Sequence, residues 1–282
     1  MKLTDLIKRR MKPEVLGTGY GFTEGPAADA KGNIYFSDGR NNSIHHYEIG
    51  RPVVPFVTDS TDANGMIFSA TGELLVCEGA AHRIVAFDVA TREKRILCDS
   101  FEGLPFNEPN DLAADRQGGI YFSDPNYSHH GQETIRKEDA YYRAADGTIR
   151  RVSDTCTKPN GVLLSPDGLT LFLADSRGPR IYRYDVTAPG ELTAERIFTE
   201  DLPGNPDGLT LDVHGNLYVG MNGAGLGVYD PDGRLIGRRE EIKVSNLCFG
   251  GPDFRTLYMA CADRFVGLPM RVEGIRPICA TS

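Results

Sequence analysis

Six polar side chains in this 282-residue chain stand at the same place in a repeating pattern: Glu24, Asn64, Asn110, Asn160, Asp207 and Asn246. If the repeat brings them together, two carboxylates (Glu24, Asp207) and amide carbonyls (Asn110, Asn160) make an all-oxygen cavity of formal charge -2. Such a donor set suits one hard divalent cation, calcium first, with magnesium, manganese or zinc as substitutes. Zinc is the least suited, because no His or Cys stands at any anchor position. Without a cation, two carboxylates in one narrow channel repel and desolvate each other, so one tends to hold a proton. Three or four protein oxygens also fall short of the ~6–8 that calcium prefers, which leaves room for water and substrate. An open shell of that kind is what Lewis-acid catalysis needs.

The elements that must position these groups are short strands. Each anchor opens an apolar segment that runs to a tight turn eight positions later, at Gly32, Gly72, Gly118, Gly168, Gly215 and, in the sixth unit, Phe254. A second strand follows each turn: NIYFSD, ELLVCE, GIYFSD, LTLFLAD, NLYVG and RTLYMAC. The anchors are 40, 46, 50, 47 and 39 residues apart, the period of a propeller blade rather than of a helical repeat. The expected fold is all-β, a six-bladed β-propeller forming a single domain over residues 1–282. Residues 1–14 are expected to be a tail or a short helix, with Thr4 as its cap and Leu3, Leu6, Ile7 and Met11 close together.

Composition narrows the function classes. Lys plus Arg number 31 against 39 Asp plus Glu, a net charge of -8 with no clustered positive run, which argues against nucleic-acid binding. No stretch approaches the ~18 apolar residues of a membrane-spanning helix, and the basic N-terminus lacks an apolar segment behind it. The expectation is a soluble, cytoplasmic protein, unless a segment preceded Met1; the chain does not indicate its oligomeric state. The six cysteines are scattered without metal-ligand spacing, as reduced buried thiols are.

In a propeller, the start of the first strand and the end of the second share a face. The second-strand ends Asp38, Glu78, Asp124, Asp175, Met221 and Cys261 are therefore expected in a wider ring on the anchor rim, with Asp38 and Asp175 as turn caps. His214, beside a glycine turn, belongs to the opposite face, and His45 and His46 read as surface imidazoles. One rim loop is exceptional, PNYSHHGQETIRKED from Pro125 to Asp139, and long loops beside a polar centre act as lids or recognition elements. In it, Tyr127 offers a ring to a sugar face and a hydroxyl to hydrogen-bond, and His129 and His130 are placed to shape the pocket. His82 follows Glu78 on the same rim. Asn64 and Asn246 read first as turn-starting residues, because Asn ties down backbone through its own side chain; Glu24 does not, since Gly25 and Pro26 already make the turn.

The segments FTEGPAADAKGNIYFSD, NEPNDLAADRQGGIYFSDP, KPNGVLLSPDGLTLFLAD, NPDGLTLDVHGNLYVG and FGGPDFRTLYMA resemble the regucalcin and gluconolactonase family of six-bladed propellers. The resemblance runs from about Phe22 onward, in order, and the NEPND wording is similar to the bacterial gluconolactonase branch. It implies that Glu24, Asn160 and Asp207 are metal ligands and that Asn110 reaches the metal or the substrate beside it. Where the animal branch has a substrate-contacting arginine, this chain has Glu108, so Glu108 is expected to alter which substrate groups the pocket welcomes.

The resemblance also implies a metal-dependent hydrolase that opens a lactone, a sugar lactone as the substrate class. In it the metal polarises the carbonyl and Asp207 positions or deprotonates the attacking water. Three alternatives share the architecture: a phosphotriesterase-like hydrolase with Asp207 as nucleophile, a non-catalytic calcium-binding or interaction propeller, and a strictosidine-synthase-like enzyme. The absence of tryptophan argues against a WD-type platform, and a strictosidine-synthase-like role leaves the oxygen set unexplained.

Overall fold

The computed structural model describes residues 2–7, 12–129 and 131–280. Every one of the six sequence units forms a four-stranded antiparallel sheet, and the sheets are the blades of a β-propeller. Blade 1 comprises Thr23–Ala28, Ile34–Asp38, Ser43–Tyr47 and Val54–Val57, and blade 2 comprises Ala63–Phe68, Leu74–Glu78, Arg83–Phe87 and Lys94–Cys98. Blade 3 is Leu112–Ala114, Ile120–Asp124, Asp139–Arg143 and Ile149–Ser153, and blade 4 is Pro159–Leu164, Thr170–Asp175, Arg180–Ala188 and Glu191–Thr199. Blade 5 is Asn205–Leu211, Leu217–Asn222, Gly225–Tyr229 and Leu235–Arg239. Blade 6 takes Asn246–Gly250, Thr256–Cys261 and Arg264–Pro269 from the end of the chain and its outer strand, Glu14–Thr18, from the beginning. The innermost strands touch their neighbours all the way round, blade 6 meeting blade 1.

The N-terminus therefore does more than the expected tail or short helix. A single helical turn, Leu3–Leu6, is present with Lys2 rather than Thr4 at the cap position, and Leu6 and Ile7 are buried between blades 5 and 6. Met11 lies outside the described residues. The strand after it closes the ring, and sequence pattern missed it because EVLGT is too short and too exposed to alternate clearly.

Among the described residues the core is six apolar clusters, one in each cleft between blades. A blade is packed on both faces, so its second strand is buried throughout instead of alternating, as Ile120–Asp124 is. Tyr121 faces blade 4 while Phe122 faces blade 2. The six expected hairpin turns all occur, and each turn residue is left-handed, including Phe254 at φ 52° where the other five are glycine. Phe254 is tolerated there because its ring is buried against blade 1 and beneath the Arg276 guanidinium, 4.6 Å away.

The glycine that follows the anchor in blades 1, 2, 4 and 5 controls how close the anchors come. At Gly25, Gly65, Gly161 and Gly208 the innermost strand breaks register with its neighbour. The next blade's anchor backbone or side chain fills the space that a Cβ would need. That Cβ would stand 2.1 Å from the Asn64 carbonyl at Gly25, 2.5 Å from that of Asn110 at Gly65 and 2.0 Å from that of Asp207 at Gly161. The contrast with a turn glycine is testable. Gly72 has φ 84° and nothing within 4 Å of an added Cβ, so Gly72→Ala is expected to cost about 1–2 kcal/mol of backbone strain and disturb only its turn. Gly161→Ala is expected to destabilise and to displace Asp207. Urea denaturation together with amide chemical shifts of the ring residues checks both; a Gly161→Ala protein with unshifted blade 5 amides would contradict the packing role.

Candidate functional site

The anchors converge at the end of the central channel where the innermost strands begin, on the floor of a cavity of about 730 Å³. Glu24, Asn64, Asn110, Asn160 and Asp207 line it, joined by Tyr127 and His129 from the long loop and by Ser176, Asn205 and Asn222. Glu24, Asn110, Asn160 and Asp207 are each buried. Of the sequence-derived set, Glu108 and Asn246 are not in the lining, and His130 lies outside the described residues.

Three carboxyls, not two, share this buried region. Burial pushes the Glu24 carboxyl up to about 7, against the pull of hydrogen bonds from the Gly25 N–H and the Ser245 and Asn246 side chains. Asp111 is likewise pushed up to about 7, by burial first and by the Glu24 charge. Asp207 is raised well above the usual carboxylate range by burial, then by Glu24 and Asp111, while Asn160 and Asn222 hydrogen-bond to it and pull the other way. The Asn222 amide donates to Asp207 Oδ2. Burial favours the neutral form of all three, and the Glu24 charge raises both aspartates further by like-charge repulsion.

Asn160 links this cluster to the loop. Its Nδ2 donates to Tyr127 Oη at 2.8 Å, and that hydroxyl also meets Ser176 Oγ at 2.7 Å. Burial raises the Tyr127 phenol, so it keeps its proton and its hydrogen bonds. The other amide atom, Asn160 Oδ1, is buried without a partner. An orphaned carbonyl oxygen beside mutually repelling carboxylates fits a hard cation, since the ion satisfies the oxygen and removes the repulsion. Among the described residues no three His, Cys, Asp or Glu side chains form a metal cluster, so a cation here must use amide oxygens as well as carboxylates.

The Pro125–Asp139 loop is clamped in place. Glu108 is buried with its carboxylate turned into the loop, accepting from the Tyr127 N–H at 2.6 Å, the His129 N–H at 3.0 Å and the Gln132 amide. Asn107 holds the far end through Ile135 N at 2.9 Å and the Arg136 carbonyl at 3.1 Å. Lys158, also buried, donates to the Asn126 carbonyl at 2.7 Å, pairs with Glu138 at 2.6 Å and lies 5.1 Å from the Tyr127 ring centre. The motif residues flanking Asn110 and Asn160 thus fix Tyr127, with the His129 ring stacked on it at 5.6 Å.

Around the rim, Asp38 and Asp175 cap backbone as expected, accepting from Gly21 and Phe22 N–H and from Thr157 and Lys158 N–H respectively. Asp124 likewise takes the Asn107 N–H, and His82 is tied to the Asn107 carbonyl. Met221 and Cys261 do not join the rim; they face the clefts between blades 4 and 5 and between 5 and 6. The fifth second strand runs one residue further, and alternation aims Asn222 at Asp207 instead. Asn246 keeps a local role, its Oδ1 accepting the Leu247 N–H at 2.8 Å, and adds a bond to Glu24. Sequence reading missed Asn222, Ser176 and Asp111. Asp111 had a visible signal: it occupies the position that is glycine in four other blades.

The six cysteines are free thiols. Among the described residues no helix is long and apolar enough to cross a membrane.

Comparison with known proteins places this geometry in context. The chain is 28% identical to a gluconolactonase of Zymomonas mobilis, over 93% of this chain and 82% of that protein. It is also 28% identical to the pentonolactonase XacC of Haloferax volcanii, over 88% of this chain and 84% of that one. The solved structure of a gluconolactonase from Xanthomonas campestris superposes with a TM-score of 0.87 at 25% identity, covering 95% of this chain and 92% of the other. Residues 22–263 match the SMP-30/Gluconolactonase/LRE-like region, and the chain belongs to that family.

Proposed function

We propose that this protein hydrolyses lactones, with a sugar lactone as the substrate class and a divalent cation, calcium first, as its cofactor. The reading is carried by one observation: Asn160 Oδ1 is buried and unpartnered beside Glu24 and Asp207, two buried carboxyls of raised pKa, at the floor of a roomy cavity. Lactonase relatives along most of the chain support the substrate class.

Glu24, Asn160 and Asp207 would hold the cation, with Asn110 adjacent. Bound there, it supplies Lewis-acid polarisation of the lactone carbonyl and offsets the carboxylate charge. The remaining work belongs to the chain. Asp207 takes a proton from the attacking water, the water oxygen adds to the acyl carbon, and the ring C–O bond breaks. Asp207 then returns the proton to the departing ring oxygen. Asn222 and Asn160 hold the Asp207 carboxylate in the orientation this proton transfer needs. Tyr127, fixed by Ser176 and Asn160, presents its ring to the sugar face. Glu108 contributes by holding the Tyr127 and His129 backbone in place, not by touching substrate.

Two outcomes test this. Asp207→Asn keeps an oxygen and the shape but removes the basicity, so turnover at saturating calcium is expected to fall by at least ~10²-fold; near wild-type turnover would make Asp207 a ligand only. The second concerns pH. Glu24 and Asp111 titrate near 4.5 and 3.8 when unfolded and at about 7 in the metal-free fold, so the fold binds protons more tightly. Their stabilisation is full below the unfolded values and is lost as pH rises through about 7. Thermal melts with chelator are expected to fall across that window, and the calcium-induced rise in Tm to grow across it. Glu24→Gln should flatten both trends. A calcium increment independent of pH would contradict the site.

A further inference from the structure

The catalytic groups use only part of the cavity. Asn160, Ser176, Asp207 and Asn222 come from blades 4 and 5 and Tyr127 from the loop of blade 3, whereas a second stretch of wall comes from blades 1 and 2: Phe22, Arg40, Asn42, Asp59, Thr61 and Asp62. In a closed six-membered ring blade 1 stands opposite blade 4 and blade 2 opposite blade 5, so this shelf faces the catalytic groups across the axis. At about 730 Å³ the cavity falls in the upper part of the ~300–1,000 Å³ range of pockets for drug-sized ligands. A single six-carbon lactone is smaller than such a ligand and leaves the shelf unfilled.

The shelf is built rigidly. Asn42, Thr61 and Asp62 are all left-handed, with φ of 53°, 55° and 56°. For Thr61, a β-branched residue, that backbone is costly and persists only where neighbours enforce it. They do: Asn42 Oδ1 accepts the Asp62 N–H at 2.8 Å and its Nδ2 donates to Asp59 at 3.0 Å. The Asp62 carbonyl takes the Gly79 N–H at 3.1 Å, tying blade 1's turn to blade 2's. Arg40 is exposed on this wall, its guanidinium 5.6 Å from the Phe22 ring centre and in no ion pair among the described residues.

The chemistry of this wall selects its ligand. The Arg40 guanidinium is matched by the Asp59 carboxylate, which leaves the wall without the positive excess that a phosphate or carboxylate would require. The Asp59 carboxylate, the Arg40 fork of donors, the Thr61 hydroxyl and the Phe22 ring together match a polyol, whose hydroxyls both donate and accept and whose C–H face packs on a ring. Resting on the lactonase reading, we propose that the blade 1–2 shelf is a second sugar subsite, and that the preferred substrate is a glycosylated aldonolactone, with the lactone ring at Asp207 and the second sugar on Arg40 and Phe22.

The test compares kcat/KM for glucono-, maltobiono- and 6-phosphogluconolactone in the calcium-loaded enzyme and in Arg40→Ala. The disaccharide lactone is expected to be the best substrate. Arg40→Ala is expected to lower the disaccharide-to-monosaccharide ratio about tenfold, mainly through KM, because the lost hydrogen bonds lie away from the reacting carbonyl. A ratio unmoved by Arg40→Ala, or a wild-type preference for the monosaccharide, overturns the subsite. A preference for the phosphorylated lactone that Arg40→Ala abolishes overturns it in favour of an anion site. Turnover of none of the three would sink the hydrolase reading separately. Calorimetric titration with maltobionate and gluconate then still decides the shelf, which predicts tighter maltobionate binding lost in Arg40→Ala, and equal affinities overturn it.

Discussion

Three carboxyls buried at the convergence of six strands are the constraint around which this molecule is organised. Desolvating ionised Glu24, Asp111 and Asp207 side by side is costly, and a fold that keeps them together must either protonate them or supply positive charge. Asp111 is partly satisfied within the protein, by the Leu112 N–H at 2.9 Å and the Val162 N–H at 3.2 Å. Glu24 and Asp207, unlike Asp111, line the cavity, so their charge is concentrated where a cation and a substrate can reach it. The opposite end of the channel holds a cavity of about 310 Å³, lined largely by apolar side chains with Asp111 and Asn246 among them and bordered by residues 275–278.

The rest of the fold keeps this cluster from relaxing. Glycines after the anchors let neighbouring blades approach until backbone meets backbone, so an anchor cannot withdraw without moving the next blade. The N-terminal strand ties the beginning of the chain to its last blade. The C-terminal segment crosses the hairpin-turn face, with Ile275 against the blade 4–5 cleft, Ile278 against the 2–3 cleft and Cys279 against the 1–2 cleft. On the other face, Asn107, Glu108 and Lys158 clamp the long loop that carries Tyr127. Preorganisation of this kind lets a buried aspartate act as a base without spending binding energy to orient it.

Much of this was legible because blade architecture repeats in sequence. The anchors, the eight-residue offset to a left-handed turn and the second strands follow from one period, and the structure reproduces all six, even Phe254 in place of glycine. What the sequence concealed depends on direction rather than position. Alternation decides that Asn222 meets Asp207 while Met221 enters the core, and a one-residue difference in strand end is beyond pattern reading. Glu108 stands two residues before a ring asparagine, yet its side chain turns into the loop because three donors wait there. The Glu14–Thr18 strand carries no period of its own and acquires its meaning only from the far end of the chain.

The most direct measurement is a crystal structure of the calcium-loaded protein, with manganese replacing calcium for an anomalous signal. The account predicts one strong peak at the channel floor, with oxygens of Glu24, Asn160 and Asp207 at about 2.3–2.6 Å from calcium. Asn160 Oδ1, otherwise unpartnered, should be among them. A peak elsewhere, or a channel floor without one at saturating metal, would contradict it.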